Sequence, residues 1–194
     1  MSLGDLVNRL RAFCYRRRST NRKAVLTAAN AVQPVVCTGE GRIVLDESAR
    51  IGWRESFGFY SGYSYLEARS PAASVSIGAG TIVNNNCAIV ANSTSIDIGR
   101  NCRIGVGFTC LDSDFHGLHP LDRDNLKALV DKPVVLEDDV FIGENVTVLK
   151  GVTIGKGSVI GSGSMVVASV PPMSIAAGNP CRVIRAITDA DRIA

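Results

Sequence analysis

Apolar residues recur every six positions along much of this chain. Leu136, Ile142, Val148, Ile154, Ile160 and Val166 follow one another at that interval without a miss. Upstream, Ile77, Val83 and Ile89 do the same, and after a slip of three residues so do Ile98, Ile104 and Cys110. Two residues before these stands a small or apolar side chain: Val75, Thr81, Cys87, Ile96 and Cys102 early, Val140, Val146, Val152, Ser158 and Ser164 late. Three residues after them stands Gly80, Asn86, Asn92, Asn101 or Gly107, and later Asp139, Asn145, Gly151, Gly157, Gly163 or Ser169. Inward positions two apart are strand alternation. The Gly/Asn/Asp column tolerates a sharp corner with positive φ. A period of six carries successive apolar residues round an α-helix, so no helix buries them together. Short strands with a corner every six residues bury their aliphatic rows only by stacking coil on coil, which predicts an all-β solenoid.

Outside the repeat the pattern changes three times. Residues 1–30 read as a basic amphipathic helical segment, with Leu3, Leu6, Val7, Leu10 and Phe13 at helical spacing. Residues 31–181 form the solenoid, its first coils imperfect around the aromatic "WRESFGFYSGYSYLEAR" and interrupted by a loop over 111–133. Residues 182–194 are expected to be a short helix closing the end of the solenoid. The net charge of +3 hides a concentration of Arg9, Arg11, Arg16, Arg17, Arg18, Arg22 and Lys23 near the start. The remainder is near neutral or slightly acidic, which argues against a general nucleic-acid surface. No apolar run approaches the ~18 residues that span a bilayer. The arginines follow the first apolar residues, the reverse of a secretory signal. Six cysteines without CxxC spacing read as reduced thiols filling the core. These features together predict a cytoplasmic protein.

Units such as "IGENVT", "IGKGSV" and "IGSGSM" resemble the hexapeptide repeats of the left-handed β-helix acyltransferases, over residues 40–187. The stretch "VPPMSIAAGNPCRVIRAI" (170–187) is similar to the carboxy-terminal segment of the branch that acetylates sugars, including maltose, galactoside and polysaccharide O-acetyltransferases and their serine-acetyltransferase relatives. The resemblance, and not the spacing, implies the left hand, three units per triangular coil and acetyl-coenzyme A as donor. It also implies a homotrimer in which one prism supplies a histidine and both contact the ligands.

The chemistry gathers in "CLDSDFHGLHPLDRDN" (110–125), which holds the only two histidines. Acetyl transfer to a hydroxyl needs a base, and imidazole is suited to it near neutral pH. "DSDFH" is similar to the polysaccharide-acetyltransferase motif and selects His116; His119, followed by Pro120 as in maltose-type enzymes, is the rival. Asp112 and Asp114 are candidates to orient the imidazole. They serve equally to cap turns or meet sugar hydroxyls, and a backbone carbonyl can also fix the tautomer.

By the same resemblance, backbone amides at Gly143 and Glu144 face the thioester, Gly161, Ser162 and Gly163 admit the pantetheine arm, and Arg182 and Arg185 lie near the nucleotide phosphates. Corner geometry accounts for the glycines as well. Relatives carry a Thr-Lys pair where this chain has Val167 and Ala168, which removes a phosphate contact. Asn84 and Asn85 are acceptor-side candidates, Asn86 a corner residue. The aromatic patch stacks on a sugar or covers the open end of the first coils. Val134, Val135, Ile142 and Val148 are either outward positions covered by another subunit or core.

The implied activity is acetyl-coenzyme A-dependent O-acetylation of a sugar or surface-polysaccharide precursor, lipid-linked or nucleotide-linked. N-acetylation of an amino sugar is the alternative on the same machinery, and a scaffold or metal-dependent β-helix is the alternative class. A metal site would need three converging histidines, so no metal is expected. The basic start is read as a helix packed across the prism, with peripheral contact to an anionic membrane surface as the other reading.

Overall fold

The computed structural model describes residues 3–27 and 29–192, apart from the side chain of Asp5. A helix, α1 (Leu3–Arg18), precedes a prism of three parallel sheets to which each coil adds one strand per face. The first face stacks Val35–Thr38, Ser64–Ala68, Ala88–Ala91, Thr109–Leu111, Thr147–Val148 and Met165–Val166. The second stacks Arg42–Leu45, Ser74–Ile77, Ser95–Ile98, Val134–Leu136 and Thr153–Ile154. The third stacks Arg50–Ile51, Ile82–Val83, Arg103–Ile104, Phe141–Ile142, Val159–Ile160 and Ser174–Ala177.

Strand register lays like on like. On the first face Cys37, Leu66, Ile89, Cys110, Val148 and Val166 are successive partners. Leu45, Ile77, Ile98, Leu136 and Ile154 form the second row. Ile51, Val83, Ile104, Ile142, Ile160 and Ala176 form the third. All of these are buried, and the three rows meet along the axis as one core. Burying each larger aliphatic contributes about 1.5–3 kcal/mol, so the stack is held by repetition and not by any single contact. Val134, Ile142 and Val148 belong to this core, so only Val135 is left pointing outward for a subunit contact.

The corner column behaves as its residue types require. Asn86, Asn101, Asp139 and Asn145 take φ between 53° and 63°, as do the corner glycines at somewhat larger values. Asn92 does not, because Ser93 and Thr94 widen its corner; this is the three-residue slip in the repeat.

Two boundaries differ from the sequence reading. The helix ends at Arg18, and the following segment already begins a coil, with Val25 bridged to Val44 and Ala31 to Ile51. The tail starts as a strand, Arg182–Ala186, antiparallel to Ser174–Ala177, and only Asp189–Asp191 makes a 3-10 turn. Val183 and Ile184 favour extended backbone, and the open edge of the last coil offers it hydrogen bonds.

Candidate active site

Two insertions leave the prism at different corners. The 112–133 loop departs between the first and second faces, after Thr109–Leu111 and before Val134–Leu136. The aromatic segment departs between the third and first faces, after Arg50–Ile51 and before Ser64–Ala68. Each is tied down by polar side chains from the neighbouring coil.

The neck of the histidine loop is a carboxylate clasp. Asp112, fully buried, accepts the amide protons of Asn92 (2.6 Å), Ser93 (3.3 Å) and Thr94 (2.9 Å) and the Thr94 hydroxyl (2.8 Å). Asp131, at the returning end, accepts from Asn92 Nδ2 (2.7 Å) and the Ser93 hydroxyl. Lys132 N donates to Asp112 O and closes the neck. Burial alone would raise the Asp131 pKa, but hydrogen bonds from Ser113, Ser93 and Asn92 and the charge of Lys150 hold it below the usual carboxylate range. The three slipped residues thus exist to grip the loop. Asp112 is therefore committed to the clasp and does not orient an imidazole. Asp114 is ion-paired with Lys150 and likewise serves the loop's posture.

His116 is exposed, and its Nδ1 lies 3.0 Å from the carbonyl oxygen of Gly117. A carbonyl can only accept, so Nδ1 carries the proton and Nε2 keeps its lone pair. The backbone carbonyl, and neither aspartate, fixes the tautomer. His119 is differently occupied: its Nδ1 accepts the amide proton of Leu121 at 3.3 Å and caps the 3-10 turn Pro120–Asp122. That bond requires the opposite tautomer, with the proton on Nε2.

A groove of about 480 Å³ runs over the outside of the third face toward its corner with the first. Its walls include Ile82, Arg103 and Phe141, partners on adjacent strands, together with Trp53, Asn84 and Ser162. Trp53, from the aromatic insertion, lines the groove, a position that the aromatic run alone does not predict. The signal was there in principle, since the insertion occupies the same corner as Asn84 one coil on.

Gly143, Glu144 and Ser162 of the proposed donor site line this groove. The amides do not face it as oxyanion donors: Gly143 N donates to Ile160 O (2.8 Å) and Glu144 N to Ser162 Oγ (3.1 Å). Ser162 Oγ accepts in that bond, so its own proton is left over for another acceptor. The glycines are explained by stacking. A Cβ on Gly143 would come within 2.5 Å of Ser162 N, and one on Gly161 within 2.9 Å of the Ala177 Cβ. Gly163 has φ +71° and its amide donates to Glu144 O.

Asn84 lines the groove, but Asn85 does not. The Asn85 carboxamide is fully buried, accepting from Trp53 N (3.0 Å) and donating to Trp53 O (3.0 Å) and Phe57 O (2.9 Å). It is the tether of the aromatic insertion and is closed to an acceptor. Arg182 donates to Cys181 O, and Arg185 makes a two-pronged pair with Asp191 at 2.7 and 2.8 Å. Both sit beyond the groove on the terminal strand. Burial raises the Cys37 and Cys87 thiols to about 11 and Cys110 higher still, so these thiols are core and not nucleophiles. Among the described residues no three His, Cys, Asp or Glu converge as metal ligands.

Stacked six-residue coils with apolar inward rows make this a β-helix that carries a histidine loop, the fold of the acetyltransferase structures it superposes on. Residues 133–168 match the family described as bacterial transferase hexapeptide (six repeats). Over 123 residues the chain is 40% identical to the galactoside O-acetyltransferase of Escherichia coli strain K12, covering 63% of this chain and 59% of that protein. The chain thus spans about three-fifths of the length of this curated relative. Among solved structures, a galactoside acetyltransferase in complex with coenzyme A superposes with a TM-score of 0.59 at 27% identity, covering 98% of this chain and 86% of the other. A hexapeptide-repeat acetyltransferase of Vibrio cholerae O1 biovar eltor, complexed with acetyl coenzyme A, gives 0.57 at 25% identity, covering 96% and 84%.

Proposed function

We propose that this protein is an acetyl-coenzyme A-dependent O-acetyltransferase of a sugar-type acceptor, with His116 as the general base. The observation that carries the reading is the His116–Gly117 bond, which leaves an exposed imidazole with an unprotonated Nε2 on a clamped loop. When bound, acetyl-coenzyme A supplies an activated acetyl group. The residues fit it: Ile82 and Phe141 offer an apolar bed, and Ser162 a hydroxyl donor where charge develops on the acyl oxygen. His116 Nε2 takes the acceptor's hydroxyl proton as that oxygen bonds to the acetyl carbon. As the C–S bond breaks, the imidazolium returns the proton to the departing sulfur. Arg103 and Asn84, with Trp53 as a stacking face, are the acceptor-side groups.

His116 and the groove lie at different corners of one prism. The reading therefore includes a homotrimer, in which the loop of one subunit reaches the groove of the next. Relatives that acetylate galactosides support the acceptor class, and the fold they share supports the donor.

The test is complementation. His116→Ala and Ser162→Trp variants are each expected to release little thiol from acetyl-coenzyme A with any sugar in a panel. His116→Ala should cost on the order of 10²–10⁴-fold in turnover. Co-assembled from both variants, mixed oligomers should recover activity at the sites that pair an intact histidine with an intact groove. No recovery would end the shared-site reading; near-full activity of His116→Ala alone would end the role of His116.

A further inference from the structure

Helix α1 is packed the wrong way round for a helix that serves only the prism. The side facing the first coils is polar. Asn8 Nδ2 donates to Val32 O at 3.0 Å, Arg11 donates to Gly62 O and Phe59 O, and Gly4 lies under the Tyr60 ring. Tyr15 stacks on Tyr63 with ring centroids 4.8 Å apart. The apolar stripe faces outward instead: Leu3 is 77% exposed, Leu10 63% and Phe13 54%, with Leu6 and Val7 beside them.

Cations frame this stripe. Arg17 lies over the Phe13 ring at 4.8 Å. Arg9, Arg16 and Arg54, with Phe13 and Phe59, line a cleft of about 860 Å³ along the helix flank. No acidic residue occurs between Asp5 and Glu40, while seven basic ones do. A second copy seating its own α1 here would bring arginine against arginine. An outward apolar row framed by positive charge is instead complementary to an anionic bilayer, where the row enters the acyl boundary and the cations meet phosphates.

We propose that α1 docks the protein on an anionic lipid surface, with Leu3, Leu6, Leu10 and Phe13 inserted and Arg9, Arg16 and Arg17 on lipid phosphates. This inference stands apart from the acetyl-transfer reading, because it uses none of the same residues.

The experiment is co-sedimentation of the full chain with vesicles of phosphatidylcholine alone or with a third of phosphatidylglycerol. Binding is expected to the anionic vesicles only and to weaken as salt is raised. The variant Leu6→Gln/Leu10→Gln/Phe13→Gln should lose ~tenfold or more in partitioning with an unchanged melting temperature, since those side chains are already exposed. Arg9→Gln and Arg16→Gln should each lose about fivefold. Equal binding to both vesicle types, or a triple variant that binds as wild type, would overturn the proposal. So would a triple variant that changes oligomer size in sedimentation while wild type ignores the vesicles, which would assign the stripe to a second copy.

Discussion

Arg69 holds its guanidinium carbon 4.7 Å above the ring of Phe115, the residue immediately before His116. Phe115 needs such support, because its φ of 60° is a backbone state that side-chain-bearing residues rarely adopt. Its amide is also held, by the Ser113 hydroxyl at 3.0 Å. Arg69 is itself fixed by Glu67 at 3.0 Å on the body of the first face. The backbone immediately before His116 is thus braced from the coils of the first face.

Arg69→Leu is therefore expected to lower turnover about two- to fivefold, the scale of an exposed to half-buried cation–π contact, with KM for acetyl-coenzyme A unchanged. Arg69→Lys should restore part of the loss. An equal effect on KM, or a loss of melting temperature that matches the loss of rate, would make Arg69 structural instead of a positioning residue.

Asp112→Asn tests the clasp. The carboxylate accepts from three amides and a hydroxyl in full burial, and a carboxamide must present two donors to part of that set. Losing such bonds to a charged group costs about 2–3 kcal/mol, seen as a lowered denaturant midpoint. The pH dependence of kcat in the surviving folded enzyme should keep its shape, which it would not if Asp112 were the partner of the imidazole.

The difference between Asp112 and the core rows shows what a sequence exposes. Leu136 and Ile142 declare their inward direction through local alternation, so the coils and corners were legible residue by residue. The partners of Asp112 lie 18 to 20 residues back and meet it only because coils stack; in the sequence the three-residue slip at 92–94 is their one visible trace. Asn84 and Asn85 look equivalent in sequence, yet alternation at a corner sends one outward and one in. Arg182 and Arg185 carried a family likeness that their strand and the Asp191 pair do not turn toward the groove.

Acid should loosen the loop before the prism. The Asp131 carboxyl is held below its ordinary value of 3.8 in the folded protein. A depressed folded pKa adds stability above the unfolded pKa, and that stability is lost as pH falls through the folded value. Wild type is thus expected to lose protection of loop amides in hydrogen exchange below about pH 4, while amides of the coils stay protected. Asp131→Asn should show the loosened loop at neutral pH and little further change on acidification. Coils and loop opening together in wild type would count against the clasp as a separate element.

Asn84 and Asn85 separate acceptor contact from scaffolding. Asn84 lines the groove and donates to the Ser56 hydroxyl at 3.1 Å, while its Oδ1 accepts the Asn85 amide proton at 2.8 Å. Asn84→Ala should raise the acceptor KM while moving the melting temperature little, since the side chain is only partly buried. Asn85→Ala removes a buried carboxamide that ties Trp53 and Phe57, leaving their backbone groups unpaired at a cost of roughly 2–4 kcal/mol. Its melting temperature should fall, and tryptophan fluorescence should shift as Trp53, the lone tryptophan, leaves the groove mouth. If instead Asn84→Ala destabilises and Asn85→Ala changes only KM, the assignment of the two is reversed. If neither alters the acceptor KM, Trp53 and Arg103 remain as the acceptor side of the groove, and Trp53→Ala becomes the variant that must raise that KM.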